Sequence, residues 1–241
     1  LGNMSGDKIV TQKLIGKLNE KDSFIREHVV ESLGKIKDRD TVPLLIKALE
    51  DTDREVREKA VLALGVIGDE RAIEPIMTLY RKKWGKMDTK PFIEAIAAIG
   101  GKSALKNLTE TYQNENTKKH SNYILEVVAA FSKLNDRRSV DLLIEILKSG
   151  HPNVKQDTVK ALGRLRDKKA VDILLGIMKG EGYYNLDVIE ALGKIGDRKA
   201  VPLLEEALFS NNTWSIYAAT ALAEIGDENS APSLMKFLGK N

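Results

Sequence analysis

Ala63-Leu64-Gly65-Val66-Ile67-Gly68-Asp69 recurs, little altered, along most of this chain. Close copies are Ser32-Leu33-Gly34-Lys35-Ile36, Ala161-Leu162-Gly163-Arg164-Leu165, Ala191-Leu192-Gly193-Lys194-Ile195 and Ala221-Leu222-Ala223-Glu224-Ile225. Two degenerate copies, Ala95-Ile96-Ala97-Ala98-Ile99 and Ala130-Phe131-Ser132-Lys133-Leu134, fill the middle. The central residues, or anchors, stand at 33, 64, 96, 131, 162, 192 and 222, in steps of 30 to 35 residues. A fixed period of that length defines a solenoid, in which each repeat buries its apolar face against its neighbours. Such a fold offers an extended binding surface and argues against a catalytic cleft.

Around the anchor the repeat reads as two helices. Val56, Ala60, Val61, Leu64 and Ile67 follow a helical period with one buried face, as do Ile25, Val29, Val30, Leu33 and Ile36. Trp214 falls in the column of Val56 and Val154 and is expected in the core. Small residues flank the anchor on both sides, which lets neighbouring helices approach closely. Five positions past the anchor stands Asp38, Asp69, Asp136, Asp167, Asp197 or Asp227, and only Gly101 breaks the column. A carboxylate there is expected to cap the second helix. One Asp per repeat, at the roughly 8–10 Å spacing of packed helices, is too sparse to share a metal ion. Second helices carry Pro43, Pro75, Pro202 and Pro232 in their first turns, where a missing N–H costs little. Their core columns include Val42, Leu45 and Leu49 or Val201, Leu204 and Leu208.

Composition agrees with a packed helical chain. Of 241 residues, 42% are apolar and 30% charged, with six Pro and a net charge of +3. The absence of Cys excludes disulfides, thiolate metal sites and a Cys nucleophile. No apolar run reaches the roughly 18 residues that span a bilayer, and no secretory pattern opens the chain, so a cytoplasmic location is expected. Leu1-Gly2-Asn3 before Met4 reads as a cloning remnant. The expectation is one domain over 4–241, with a capping helix over 7–18. Repeats are expected over 20–50, 51–85, 86–116, 117–150, 151–180, 181–210 and 211–241.

The phrase Ala-Leu-Gly-x-Ile-Gly-Asp-x-x-Ala, together with Asp53-Arg54-Glu55-Val56-Arg57 ahead of it, resembles HEAT-like repeats of the phycobilisome-lyase type. The resemblance covers about 20–240. It is weakest in repeats three and four, where the Asp column fails at Gly101 and Thr89 and Ile124 replace Arg57. It implies a right-handed superhelix with first helices convex and second helices lining a concave groove. The class it implies includes bilin-attachment lyase subunits, interaction scaffolds and an iron-dependent hydroxylase. That hydroxylase places His-Glu pairs on several first helices. Here Glu27-His28 is single and reversed, while His120 and His151 fall between helices, so no iron site is expected.

Other chemical motifs are weak. Gly100-Gly101-Lys102-Ser103 lacks the leading Gly of a phosphate loop, with Ile96 in its place, and follows a helix. No nucleophile–base pairing is legible. No cofactor and no metal are expected, and the chain reads as a non-enzyme.

Two surfaces are candidates for partners. The exposed row of the second helices holds Lys47, Glu50, Glu74, Thr78, Arg81, Glu110, Gln113, Asp141, Glu145, Lys148, Asp172, Lys179, Glu206 and Phe209. Trp84, at the longest step of the repeat, joins this set as a candidate anchor. Its two signs of charge suit another protein or peptide better than a polyphosphate. The second surface is the turn edge of repeats four to six, with Arg137, Arg138, Arg164, Arg166, Lys168, Lys169, Lys194, Arg198 and Lys199. That basic excess suits nucleic acid or another polyanion, although no aromatic residue interleaves for base stacking. Ordinary solvation and compensation of helix dipoles account for the same charges. The protein-groove reading is preferred, with a monomeric chain, no membrane association, and an accessory role in attaching a prosthetic group as a further alternative.

Overall fold

A computed structural model describes residues 2–83, 88–114, 121–180, 185–210 and 213–239. Among these the protein has fifteen α-helices and no strand. They form two compact units, Leu1–Lys119 and His120–Asn241. In the first unit, α1 (Gly2–Ile15) precedes three helix pairs. These are α2 (Ser23–Ile36) with α3 (Val42–Ala48), α4 (Arg54–Ile67) with α5 (Ile73–Lys83), and α6 (Lys90–Ile99) with α7 (Gly101–Gln113). The second unit has four pairs. They are α8 (Ser121–Leu134) with α9 (Val140–Lys148), α10 (Lys155–Leu165) with α11 (Val171–Lys179), α12 (Asn185–Ile195) with α13 (Val201–Leu208), and α14 (Trp214–Ile225) with α15 (Ala231–Leu238). Each unit is an α-solenoid in which the first helices stack on one another, α2 on α4 on α6 and α8 on α10 on α12 on α14.

The repeated phrase explains the stacking. Its anchors, from Leu33 and Leu64 to Leu192 and Leu222, are fully buried. The small residue after one anchor meets the small residue before the next. A Cβ added to Gly163 would lie 2.8 Å from Ala191 Cα, and one added to Gly65 would lie 2.8 Å from Ala95 Cα. Only Gly permits that approach, which is why it is kept inside a helix at about 1 kcal/mol relative to Ala.

The Asp column works one step earlier than the sequence suggests. Each of the six side chains caps a 3₁₀ turn by accepting from the backbone N–H two residues on. That turn then leads into the second helix, so the carboxylate caps the turn and not the α-helix itself. Where the column fails, at Gly100-Gly101, α7 starts directly with no 3₁₀ turn and no side-chain cap. Pro43, Pro202 and Pro232 occupy the second position of their helices, as expected.

Three expectations need correction. The capping helix is longer than 7–18 proposed at its start, running from Gly2, and ends at Ile15. Ile25 is 38% exposed, whereas Val56 in the same column is 1% exposed. Val56 has the α2–α3 pair packed on that side, while Ile25 has only α1. Trp214 opens α14 and is part exposed, because an indole exceeds the slot that Val154 fills completely.

Candidate functional site

The second-helix row is solvent-facing as the repeat demands. Lys47, Glu50, Glu74, Thr78, Arg81, Glu110 and Gln113 are exposed in the first unit. In the second, Asp141, Glu145, Lys148, Asp172, Lys179 and Glu206 are exposed and Phe209 is half-buried. Trp84 lies outside the described residues. The structure gathers some of these into concave sites in the first unit. Between α3 and α5 an open concavity of about 700 Å³ is lined by Ile46, Leu49, Glu50, Asp51, Arg57, Glu74, Pro75, Thr78, Leu79 and Lys82. A neighbouring one of about 520 Å³, against the end of α1, includes Lys47, Leu44, Arg26 and Asp51. Both combine an apolar floor with a charged rim.

Two arginines shape these concavities from the first helices. Arg57 Nη1 donates to the carbonyls of Asp51 and Thr52, at 2.7 and 2.9 Å, and so pins the loop before α4. Arg26 does the same one repeat earlier, from Nη1 to the carbonyls of Glu20 and Lys21. Arg26 also makes a bidentate pair with Asp51, Nε to Oδ2 and Nη2 to Oδ1 both at 2.8 Å. That hydrogen bond holds the Asp51 carboxyl below its usual range against the opposing effect of burial.

Asn107, buried at 2% exposure, was missed by the sequence reading. It donates from Nδ2 to Glu74 at 3.0 Å and accepts from Arg81 Nη2 at 3.2 Å. Asn107 on α7 thereby bridges Glu74 and Arg81, two turns apart on α5, whose charged atoms lie 3.6 Å from each other. The signal for it is an amide in a column that elsewhere holds half-buried or buried residues, among them Leu44, Pro75, Leu142, Ile173 and Leu203.

On the turn edge, most of the predicted cations already have partners. Arg138 closes on Asp136, with Nε 2.9 Å from Oδ1, and lowers that carboxyl. Lys169 reaches back to Asp141 at 2.8 Å and Lys199 to Asp172 at 3.2 Å. Lys168 lies 3.7 Å from Asp197, Arg198 3.8 Å from Asp227, and Lys194 3.4 Å from Glu190. Arg137 Nε donates to the Leu165 carbonyl at the end of α10, and Arg164 Nη1 to Ser132 Oγ. Apart from Arg138–Asp136 and Lys194–Glu190, these contacts link successive repeats, and Arg137 complements the C-terminus of α10. Arg137, Arg166, Lys168 and Lys194 do share one open concavity of about 750 Å³, but Asp167 and Glu224 line it with them. The pairing also joins the two predicted surfaces, since Asp141 and Asp172 belong to the second-helix row while Lys169 and Lys199 belong to the turns.

No group of His, Asp and Glu among the described residues has the arrangement of a metal site. His28 Nδ1 lies 2.8 Å from the Phe24 carbonyl on its own helix, His151 precedes a 3₁₀ turn, and His120 lies outside the described residues. No described helix is long and apolar enough to cross a membrane.

Stacked helix pairs with an apolar seam and a charged open face define an α-solenoid repeat protein. The HEAT-repeat profile matches residues 11–87 and 117–184, more than half of the chain. The profile described as PBS lyase HEAT-like repeat matches 186–210 and 216–240. The chain therefore belongs to the HEAT-repeat family. No curated protein sequence matches it. Among solved structures it is similar to a chain of the complex of CpcE and CpcF of phycocyanin lyase from Nostoc sp. PCC7120. That likeness has 18% identity and a TM-score of 0.52, covering 95% of this chain and 92% of that one. It is also similar to importin beta at 16% identity and a TM-score of 0.62, covering 95% of this chain and 39% of that one. At these identities the likeness is one of fold.

Proposed function

We propose that the protein is a non-enzymatic scaffold that holds a partner polypeptide on the face of its second helices. The observation that carries this reading is the concavity between α3 and α5. There Ile46, Leu49, Pro75 and Leu79 supply apolar surface beside Glu50, Glu74, Thr78 and Lys82. An apolar floor with a sparse polar rim is how extended peptides are gripped, with burial giving affinity and charge giving register. The turn edge fits a polyanion less well, because its cations are engaged with carboxylates and carbonyls of adjacent repeats. Monomeric, cytoplasmic action belongs to the same proposal. A second reading, an accessory role in attaching a prosthetic group to another protein, is favoured by the lyase-type profile over 186–210 and 216–240.

Capture from nuclease-treated lysate tests the proposal. Wild type is compared with Thr78→Arg, which obstructs the first concavity, and with Lys148→Glu plus Lys179→Glu, which reverses charge on α9 and α11. A discrete protein held by wild type and released by either variant supports the second-helix face. Equal retention by all three, or recovery of nucleic acid alone from untreated lysate, contradicts it.

A further inference from the structure

The two concavities of the first unit are one feature repeated. Ile15 and Leu18 line the first where Ile46 and Leu49 line the second, and Ala48 lines the first where Leu79 lines the second. The members of each pair stand 31 residues apart, which is the step from Leu33 to Leu64. Arg26 and Arg57, which pin their loops in the same way, stand at that step too. The end of α1 and the turn after it therefore act as the second helix of a preceding half-repeat. Two successive repeats present the same kind of groove to solvent.

Only Glu50 and Asp51 line both grooves, so the end of α3 is the ridge between them. Asp51 is held by Arg26. Glu50 is exposed, and its carboxylate has no hydrogen bond or ion pair among the described residues. Packed helices stand roughly 8–10 Å apart, which sets the interval from one groove to the next. A segment that fills both must return a side chain to one face at that interval. A β-strand does so at about 7 or 13 Å. An α-helix does so after seven residues, at about 10.5 Å, but would have to cross α3 and α5 near the perpendicular, a rarer packing class. A polyproline-II helix does so every third residue, at about 9 Å.

Resting on the second-helix reading above, we infer that the partner segment held here is a polyproline-II stretch with apolar side chains at positions i and i+3, one in each groove, and a Lys or Arg between them on Glu50. The apolar side chains meet Ile15, Leu18 and Ala48 in one groove and Ile46, Leu49 and Leu79 in the other. Positions i+1 and i+2 lie over α3, where the free carboxylate of Glu50 favours a cation and disfavours Asp or Glu. The repeat step of the solenoid thus sets the spacing of the motif, and the ridge sets its charge.

The test uses backbone ¹H–¹⁵N spectra of the full chain titrated with the acetylated, amidated peptide Pro-Leu-Pro-Lys-Leu-Pro. Its comparisons are the same peptide with Glu for Lys, one with a second Pro that moves the Leu residues to i and i+4, and a helical peptide with Leu at i and i+7. The expected result is one saturable transition that shifts amides of α1, α3 and α5 together. The longer spacing is expected to bind about tenfold weaker, since one Leu loses its groove. The Glu peptide is expected to bind about threefold or more weaker, and Glu50→Lys, at an exposed site, to reverse that order. Equal binding at both spacings, or tighter binding of the helical peptide, overturns the polyproline-II assignment. A Lys-over-Glu preference that is absent, or unmoved by Glu50→Lys, overturns the charge assignment. If no peptide disturbs α3 or α5, the inference is wrong, and lysate capture separates it from the reading beneath: a partner lost with Thr78→Arg keeps the second-helix face, and a partner retained removes both.

Discussion

Ala191 Cα stands where a side chain on Gly163 would begin, 2.8 Å from the position of an added Cβ. The contact sets the distance between α10 and α12, and the same pair recurs at Gly193 and Ala221. Gly163→Ala improves helix propensity by about 1 kcal/mol but forces two backbones apart, at about 1–3 kcal/mol. The net expectation is a lower Tm. Gly176, on the exposed side of α11 with nothing within 4 Å of an added Cβ, is the control. Gly176→Ala is expected to stabilise by about 1 kcal/mol in urea unfolding. Equal effects of the two substitutions would remove the packing argument.

Arg166 ends α10 with φ of 51°, in the left-handed region where Gly68, Gly196 and Gly226 end their helices. A side chain there costs about 1 kcal/mol. Arg166→Gly is therefore expected to raise stability by about that amount, despite removing a cation from the turn edge. Denaturant titration reads the sign directly.

Acid sensitivity follows from carboxylates held by arginines. Arg71 donates to Asp69 from its side chain and its backbone, and lowers the Asp69 pKa to about 2. Asp51 is lowered in the same way by Arg26. Groups with depressed folded pKa values stabilise the protein above their unfolded pKa, near 4, and lose that contribution as pH falls through the folded value. Stability is expected to hold from neutral pH to about 4 and to decline between about 4 and 2. Arg71→Ala should return Asp69 toward the ordinary carboxylate range in a ¹³C carboxyl titration. An Asp69 value unchanged by that substitution would contradict the assigned cause.

The inter-repeat pair of Lys199 and Asp172 is a different case, with side chains 64% and 79% exposed. Solvent and salt screen such a pair, so Lys199→Ala is expected to change stability by less than about 0.5 kcal/mol. Arg26→Met, by contrast, leaves Asp51 without its bidentate partner at 14% exposure and is expected to cost about 2 kcal/mol or more. A thermal melt of each variant separates the two.

The period around Leu33, Leu64 and Leu192 was enough to read the helix pairs, because one apolar column must repeat wherever one face must be buried. The Asp column was legible as caps, but not the 3₁₀ turn that each one starts. That turn depends on the backbone geometry of a two-residue Asp loop, which spacing alone does not carry. Ile25 was misplaced because a column predicts burial only where a neighbour exists to provide it. At the candidate site, the exposed row from Lys47 to Glu206 followed from helical phase. The pairing of Lys169 with Asp141 and the bonding of Asn107 to Glu74 did not, since each joins residues about thirty positions apart through stacking.

The central claim is that a polypeptide lies on the second-helix face, and site-specific photo-crosslinking tests it most directly. A benzophenone side chain is introduced singly at Thr78 on the second-helix face, at Leu62 on the exposed side of α4, and at Lys168 on the turn edge. After irradiation with the captured partner, the account predicts a covalent adduct from Thr78 and none from Leu62 or Lys168. Adducts from Leu62 or Lys168, with Thr78 silent, would contradict it.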